Sequence, residues 1–197
     1  MARPKKTDPD AALMAAMLLF WREGYHALGT RQIEEETGIT RFTLQTSYGG
    51  KKALFLKALD HYLDMFDKHL APAMQTGKLD GLSAWLQDLP APEALRPQLC
   101  HGCLMINSIL AFPRSDEEVN LRAARYFTQL RAAFATALQQ ARDSGELAPD
   151  FDCAIGAEVL LALSMSRNIT NKSAAENAAP QTVGIAAATL IDSWRQN

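Results

Sequence analysis

The sequence has few of the features that a secreted, membrane-spanning or disulfide-stabilised protein needs. Its longest apolar stretch, from Ala11 to Trp21, is too short to cross a bilayer and leads directly into Arg22 and Glu23. The polar N-terminus, MARPKKTD, has no apolar segment directly behind it of the kind found in a secretory signal. We expect reduced thiols, because the chain of 197 residues has only three cysteines: Cys100, Cys103 and Cys153. These absences favour a soluble, cytoplasmic protein without a membrane partner.

Motifs typical of enzymes are also missing. The sequence has no Ser/His/Asp arrangement, no glycine-rich phosphate loop and no His-Glu metal motif. The four histidines are scattered and have no recognisable partner: His26, His61, His69 and His101. We expect no catalytic residues, no cofactor and no metal site, so an enzyme is the least favoured class of protein.

The composition is that of an ordinary globular chain, but the charge is unevenly distributed. Hydrophobic residues make up 48% and charged residues 21%, which is enough for a substantial core. Residues 1–57 hold nine Lys/Arg and six Asp/Glu, a net charge of +3, which leaves −5 for the rest of a chain with a net charge of −2. A basic segment on an acidic body fits a nucleic-acid footprint, although so small an imbalance decides little by itself.

Apolar residues recur at helical spacing along most of the chain. The first segment, from Leu13 to Phe20, has the i, i+3, i+4, i+7 stripe of a helix, with Asp10 as the predicted cap and Gly24 near the predicted end. No segment alternates as a β-strand does, and no repeat of 20–50 residues is present. The pattern predicts an all-α fold of about nine helices.

Capping residues and prolines place the other predicted helices. Thr40 caps a helix over 41–47, and Pro72 kinks or shortens the end of a long helix over 51–74. Further helices are predicted over 30–37, around 82–89, over 103–112, from the cap Ser115 to about 144, from the cap Asp152, and over 180–194. A loop is expected around three prolines: Pro90, Pro92 and Pro97.

The second and third predicted helices resemble a helix-turn-helix motif. Their connection, residues 36–39, contains Gly38, which suits the left-handed backbone of such a turn. Ile33, Ile39 and Leu44 are expected to hold the two helices together, so that the second helix projects its N-terminal residues into a major groove. The pattern alone is a weak signal, because short amphipathic helices with a glycine turn also occur in all-α proteins that do not bind DNA.

Three stretches near the N-terminus carry a more specific resemblance. They are AMLLFWREGY (16–25), IEEETGIT (33–40) and TLQTSYGGKKALF (43–55), and their spacing contains no gap. On these stretches, residues 11–62 resemble the N-terminal domain of the TetR/AcrR family of transcriptional regulators. The resemblance implies an N-terminal arm and helix-turn-helix domain over residues 1–50, followed by an effector-binding and dimerisation domain over residues 51–197.

The family resemblance also implies a function and a set of DNA contacts. It implies a ligand-responsive repressor that binds a pseudo-palindromic double-stranded operator as a homodimer and is released by a small-molecule effector. Arg41, Phe42 and Thr43 stand at positions that face base edges in this family. The other DNA-binding candidates flank them or lie near the phosphate backbone: Thr30, Arg31, Thr40, Gln45, Thr46, Ser47, Tyr48 and Lys51. The basic arm with Arg3, Lys5 and Lys6 is a candidate for backbone or minor-groove contact.

Three contact candidates depart from the usual pattern of the family. Phe42 replaces a small residue, Gln45 replaces a tyrosine, and Ser47 stands where Tyr or His is frequent. Gln45 can still read adenine and Phe42 can contact a thymine methyl, so the departures bear on the operator sequence more than on the class of activity. They keep a second hypothesis open, a helical small-molecule-binding dimer with a degenerate DNA-binding head. Residues 34–36, all Glu, are expected to form a solvated face turned away from phosphate.

The C-terminal part is rich in large apolar residues, which indicate a core with or without an effector cavity. Met residues suit adaptable pockets, and two Asn residues are available to orient a polar group. Most of the candidates are expected to be plain core, with a minority touching a ligand: Met65, Phe66, His69, Trp85, Cys103, Met105, Asn107, Phe127, Met165 and Asn168.

The Cys100-His101-Gly102-Cys103 segment raises the question of metal binding or thiol sensing. Structural zinc needs four ligands, and only one Cys pair is present. The segment also resembles one branch of the family, in which this Cys is a small buried residue. Packing is therefore favoured over chemistry. Thiol sensing remains the alternative, and an unchanged oxidant response after Cys100→Ser with Cys103→Ser would exclude it.

The last two predicted helices carry small and apolar residues that permit close helix packing. In the family these helices pair with their symmetry mates in a four-helix bundle, which predicts an isologous dimer interface. The alternative is that they pack within one chain. The small residues are Ala157, Ala162, Ser166, Ala186, Ala187 and Ala188.

Overall fold

The computed structural model describes residues 8–88, 93–173 and 179–196, which form an array of α-helices. A π-helical turn, Leu44–Tyr48, extends α3, a second one, Phe66–Leu70, joins α4 to α5, and Glu93–His101 forms a 3-10 helix. The α-helical segments are α1 (Pro9–Glu23), α2 (Thr30–Thr37), α3 (Arg41–Thr43), α4 (Lys51–Met65), α5 (Ala71–Gln75), α6 (Lys78–Asp88), α7 (Leu104–Ala111), α8 (Glu117–Asp143), α9 (Cys153–Lys172) and α10 (Pro180–Ser193).

The predicted all-α architecture is confirmed. Since α4 and α5 form one continuous rod, the described residues contain nine helical rods and no β-strand, only an isolated bridge between Leu147 and Arg195. The predicted basic arm and two of the loop prolines, Pro90 and Pro92, lie outside the described residues. We call residues 9–48, with α1 to α3, the head, and the helices from Lys51 onward the body.

Capping chemistry sets the helix ends, with two differences from the sequence prediction. Thr40 and Asp152 cap α3 and α9 as predicted. The cap of α1 is Asp8 and not Asp10, because Pro9 fits the first helical position, where a missing N–H costs nothing. The cap of α8 is Asp116 and not Ser115, and its carboxylate accepts from the Val119 amide at 3.2 Å.

The long rod of α4 and α5 changes its helical phase partway along. The π turn at Phe66–Leu70 comes just before Pro72, whose ring nitrogen cannot donate to the preceding turn. The extra residue in this turn rotates the C-terminal end of the rod. Regular α-helical spacing would place His69 on the same face as Tyr62, whereas in the structure His69 is exposed. Pro97 lies inside the 3-10 helix and not in the predicted loop.

One continuous core links head and body. In the head, Phe20 of α1 packs edge-on against Phe55 of α4, with ring centroids 5.1 Å apart. In the body, Phe134 of α8 is fully buried and meets the ring of Trp85 at 5.6 Å. The helix α4 therefore packs against the head as well as within the body. A displacement of its C-terminal end is transmitted to the head through packed side chains.

Candidate nucleic-acid interface

The turn between α2 and α3 has the geometry of a helix-turn-helix. Gly38 has φ 72°, a left-handed conformation that favours glycine, and its amide donates to the Glu34 carbonyl at 3.0 Å. The Thr37 hydroxyl donates to the Ile33 carbonyl at 2.6 Å and accepts from the Ile39 amide at 3.1 Å. These bonds satisfy the groups that the helix end leaves open and fix the angle at which α3 departs.

The predicted packing between α2 and α3 is present. Ile33, Ile39 and Leu44 are all buried, at 0%, 2% and 3% exposure. With one face held in this way, the opposite face of α3 and its π turn is turned toward solvent. The short second helix is thus anchored by its apolar side and presents its polar side.

The first turn of α3 presents the residues predicted to face base edges. The Thr40 hydroxyl accepts from the Thr43 amide at 3.1 Å and lies 3.0 Å from the Thr43 hydroxyl. Arg41 and Phe42 are exposed, and the ring of Phe42 has 77% of its surface accessible. An aromatic side chain left this open on a small, well-packed domain is an apolar surface that suits a partner.

The π turn after α3 presents three further predicted contacts. Gln45, Thr46 and Ser47 are exposed, and the Thr46 hydroxyl donates to the Phe42 carbonyl at 2.8 Å. Gln45, with a free amide fork, is the residue of this set that can pair with an adenine edge. The predicted regular helix over 41–47 is therefore a short α-helix that continues as a π turn.

Two helix N-termini beside this surface have no side-chain cap. The α2 helix begins at Thr30 after Gly29, and α4 begins at Lys51 after Gly50, and neither glycine offers a side chain to the first amides. Free amides at a helix start, together with the positive end of the helix dipole, attract phosphate. Both ends are thus chemically suited to the predicted backbone contacts, with the hydroxyl of Thr30 exposed at the first.

Lys51 and Tyr48 contact the interior of the head to a greater extent than the sequence suggests. The Lys51 ammonium donates to the Leu28 carbonyl and lies 4.3 Å above the Tyr25 ring, and burial lowers the pKa of Lys51. Tyr48 is half-buried against the core, and burial, with a smaller contribution from Asp10, raises the pKa of its hydroxyl. The structure thus offers the Lys51 amide, and not its ammonium, to a phosphate.

The acidic run at residues 34–36 forms ion pairs with arginines. The Glu34 carboxylate lies 3.9 Å from the Arg41 guanidinium, and Glu35 pairs with Arg31 at 2.8 Å. Both arginines are candidate DNA contacts, and the orientation of the acidic face relative to phosphate stays a prediction. Glu36 instead pairs with Arg22 at 2.9 Å. The contact between Glu34 and Arg41 was not predictable from the sequence, because it depends on the angle between α2 and α3.

The head is fastened to the body by contacts that sequence patterns did not indicate. The Trp21 indole donates to the Gly102 carbonyl at 3.0 Å, and one nitrogen of His26 lies 3.0 Å from the Ala111 carbonyl. At the start of α4, next to the head, Lys52 pairs with Asp116 at 2.8 Å, and the hydrogen bond from Lys52 lowers the pKa of the Asp116 carboxyl. All of these partners are far apart in sequence, and no local motif marks them.

The predicted effector residues do not form one pocket. Met65, Phe66 and Asn168 line a cavity of about 30 Å³ in the body, and Asn107 lines a separate cleft of about 210 Å³ between head and body. Trp85 packs in the core against Phe134. Of the others, His69 is exposed, Cys103 and Met105 are buried, and Phe127 and Met165 are half-buried.

Cys103 sits between two buried tyrosines. Its sulfur lies 3.2 Å from the Tyr62 hydroxyl and donates to the Tyr126 hydroxyl at 3.6 Å. Burial is the main cause that raises the pKa of both tyrosines well above the ordinary value. Cys103 is only 3% exposed, as the packing interpretation predicts, whereas Cys100 is exposed and donates to the Pro97 carbonyl at 3.2 Å.

Two other kinds of site are absent from the parts of the chain that the structure describes. No group of three or more His, Cys, Asp or Glu side chains there is placed to hold a metal ion. Likewise, no described helix combines the length and the apolarity that crossing a membrane requires.

Comparison with known proteins covers both halves of the chain. Residues 12–58 match the family described as bacterial regulatory proteins, tetR family, and residues 79–187 match the tetracyclin repressor-like C-terminal domain. The chain is 32% identical to the HTH-type transcriptional repressor ComR of Escherichia coli over 98% of this chain and 91% of that protein. It is 31% identical to the HTH-type transcriptional regulator YezE of Bacillus subtilis over 75% and 76% of the two chains.

Solved structures share the fold. A TetR-family regulator from Cytophaga hutchinsonii superposes with a TM-score of 0.81 at 16% identity and covers 100% of both chains. A cysteine variant of the TetR-family regulator CifR, solved with 26-bp operator DNA, superposes with a TM-score of 0.72 at 22% identity over 95% and 98% of the chains. With the two family matches and the identity to ComR, the chain belongs to the TetR family of DNA-binding transcriptional regulators.

Proposed function

We propose that this regulator is a repressor that binds a pseudo-palindromic operator as a homodimer, reads bases with Arg41, Phe42 and Gln45, and leaves the DNA when a small molecule binds. The observation that carries the proposal is the exposed first turn of α3. There the capped N-terminus presents Arg41 and Phe42, which is 77% exposed, while Leu44 in the π turn that continues the helix is buried. Outward-facing side chains on a fixed support are what base reading by a recognition helix requires.

The chemistry of these side chains suggests what they read. An arginine fork pairs with the O6 and N7 acceptors of guanine, and a glutamine amide pairs with adenine. An aromatic ring in the major groove gains by contact with the thymine methyl and by displacing water. Phosphates would be held by the uncapped starts of α2 and α4.

Relatives support repression. ComR, which is similar to this chain over nearly its whole length, is named a transcriptional repressor, as is the Escherichia coli protein BdcR, which is 31% identical over 31% of this chain. The CifR structure with operator DNA shows that a protein of the same fold binds an operator. These similarities motivate repression, with release by an effector, as the function of this chain.

A surface on α9 and α10 supports the dimer. Ile155, Ile169 and Ile185 are 63%, 57% and 60% exposed in the single chain. On α9 the first two share a stripe with the small residues Ala162 and Ser166, both exposed. We propose that this stripe and its neighbour on α10 pair with a second copy, whereas two of the predicted small residues, Ala157 and Ala187, are buried within the chain.

Binding of the purified protein to its own upstream region tests the function. A labelled fragment of that region and a scrambled fragment of equal length are titrated at several salt concentrations. The proposal predicts tighter binding to the upstream fragment and an affinity that falls linearly in a plot of log K against log salt, because phosphate contacts release counterions. Equal and weak binding of both fragments at low salt would refute the proposal.

A further inference from the structure

Two hollows in the described part of the chain are lined in part by residues of the head. The one lined by Trp21, Met65, Phe66 and Asn168 has about 30 Å³, too little for an aromatic ring. The cleft between head and body has about 210 Å³. A cavity of about 150 Å³ accepts benzene, so the cleft has room for one aromatic ring and a small substituent. Three wider hollows, of about 760, 600 and 400 Å³, are open grooves on the body that touch no residue of the head.

Aromatic side chains form one wall of this junction cleft. The rings of Phe55 and Phe112 stack with centroids 5.3 Å apart and planes 12° apart, and the ring of Tyr25 lies 4.9 Å from each of them. All three line the cleft, where Tyr25 and Phe112 are half-buried and Phe55, at 1% exposure, packs behind them. Aromatic rings prefer to meet other rings in offset or edge-to-face contact at such distances, so this wall favours a flat, unsaturated ligand.

A cation from another element also lines the cleft. Lys172, in the last turn of α9, donates to the Asn107 Oδ1 at 2.9 Å, and the Asn107 amide in turn donates to the His101 carbonyl at 2.9 Å. The acceptor in this Lys172 contact is neutral, so it leaves the ammonium charge uncompensated, and two more N–H donors remain on the ammonium. The other charged lining residues, Arg22 and Glu23, pair with each other at 2.7 Å, and Arg22 also pairs with Glu36 at 2.9 Å.

We propose that the junction cleft is the effector site and that it takes a small aromatic monocarboxylate, with the ring against Tyr25 and Phe112 and the carboxylate on the Lys172 ammonium. The inference rests on the proposed function for the consequence of binding, and on the cleft itself for the ligand class. A carboxylate accepts a charge-assisted hydrogen bond from Lys172 that a neutral amide cannot match. Asn107 keeps its place and holds the lysine toward the ligand.

The walls of the cleft explain how such a ligand would act on DNA binding. Tyr25 belongs to the head, Phe112 and Lys172 belong to the body, and Phe55 lies on α4, which serves both. Two hydrogen bonds join the head to the body beside the cleft, from the Trp21 indole to Gly102 and between His26 and Ala111. An inserted ring spreads these walls, and the change in head orientation lowers operator affinity.

Sodium benzoate is the probe that tests this assignment, with benzamide as its neutral isostere. Isothermal titration measures both compounds on the intact dimer, and operator binding is measured with and without benzoate. We expect saturable benzoate binding, at least about tenfold weaker binding of benzamide because the charge-assisted bond is lost, and weaker operator binding in the presence of benzoate.

Four variants locate the site. Lys172→Gln is expected to weaken benzoate about tenfold or more and to remove its effect on operator binding, whereas Lys172→Arg retains the charge and most of the affinity. Lys68→Gln, an exposed lysine away from the cleft, is the matched control and is expected to change nothing. Asn168→Leu alters the closed body cavity and is expected to leave benzoate binding intact.

Several results would overturn the assignment. They are the absence of saturable benzoate binding, equal affinity for benzoate and benzamide, loss of binding in Asn168→Leu but not in Lys172→Gln, or bound benzoate that leaves operator affinity unchanged. Operator binding by the ligand-free protein is measured in the same series. If operator binding persists while benzoate fails to bind, the ligand assignment is wrong and the proposed repressor function is unaffected.

Discussion

The head and the body are both built from α-helices, but they differ in which side chains these helices expose and which they bury. In the head, α3 and its π turn bury Leu44 and leave Arg41, Phe42 and Gln45 in solvent, with Phe42 at 77% exposure. In the body, the long helix α8 buries nine side chains along its length, among them Phe134 at 0%. The head thus has its candidate DNA contacts on its surface, whereas the interior of the body is packed around α8.

This difference determines how each half can respond to a partner. A preformed surface binds DNA without rearrangement, and its residues contribute almost nothing to the stability of the chain. A packed interior must rearrange to admit a ligand, and its residues contribute mainly to the stability of the fold. Substitutions on the surface of the head are therefore expected to change DNA binding, whereas substitutions in the interior of the body are expected to lower the free energy of unfolding.

The largest effect is expected at the proposed dimer surface of the body. Ile169→Glu with Ile185→Glu would bury unpaired carboxylates in the interface and cost about 3–5 kcal/mol of association free energy. Light scattering after size exclusion is expected to show monomers, with operator affinity lost in parallel. Leu121→Glu changes an equally exposed leucine, at 71%, on α8 and is expected to remain dimeric. A dimeric double variant would place the interface elsewhere.

Two phenylalanine truncations compare the halves directly. Phe134→Ala removes a fully buried ring that contacts Trp85 and is expected to lower the free energy of unfolding by about 3–5 kcal/mol. Phe42→Ala removes a ring of the same size from the exposed face of α3 and is expected to change it by less than about 0.5 kcal/mol. Urea unfolding measures both. Similar losses in the two variants would mean that Phe42 is packed and not held for a partner.

Arg41→Ala is expected to reduce operator binding without reducing stability. Loss of a bidentate contact with guanine costs about 1–3 kcal/mol of specific binding free energy, and affinity for random DNA falls less. Fluorescence anisotropy with operator and random duplexes measures the two affinities, and the melting temperature is compared with that of the parent chain. Arg114→Ala, an exposed arginine of the body, serves as the control. A uniform loss on both duplexes would assign Arg41 to phosphate.

The smallest effect is expected for Glu34→Gln. The Glu34 carboxylate, 3.9 Å from Arg41, competes with DNA for the guanidinium, so its removal is expected to raise affinity for random DNA by less than about 1 kcal/mol. The gain is expected to shrink as salt rises. Glu93→Gln, a body residue that is also exposed, controls for the change in net charge. Weaker binding by Glu34→Gln would show that the carboxylate orients Arg41 and does not compete with DNA.

Local chemistry made the head predictable from the sequence. The Thr40 cap, the left-handed Gly38 and the buried Ile33 and Ile39 are consequences of residues within a few positions of each other. The position of Glu34 beside Arg41 escaped prediction, because it depends on the crossing of two helices. The inward turn of Lys51 depends on Leu28 and Tyr25, more than twenty residues away.

The body was predictable as helices but not as a binding site. Apolar spacing marks a residue as buried, yet a core residue such as Trp85 and a cavity residue such as Phe66 have the same pattern. The π turn at Phe66–Leu70 then shifted the helical phase and exposed His69. Lys172 was not predicted at all, because its place at the cleft depends on a contact with Asn107 of α7, far away in the sequence.

Selection of bound sequences from a random duplex library by the intact dimer is the most direct test of the central claim, that the exposed face of α3 reads DNA. The account predicts enrichment of a palindrome whose half-sites are separated by about one helical turn or slightly more, with a thymine at the base step that Phe42 reaches. The Phe42→Ala protein is expected to lose the preference at that step alone. Binding without any enriched sequence would contradict the account and favour a small-molecule-binding dimer with a degenerate head.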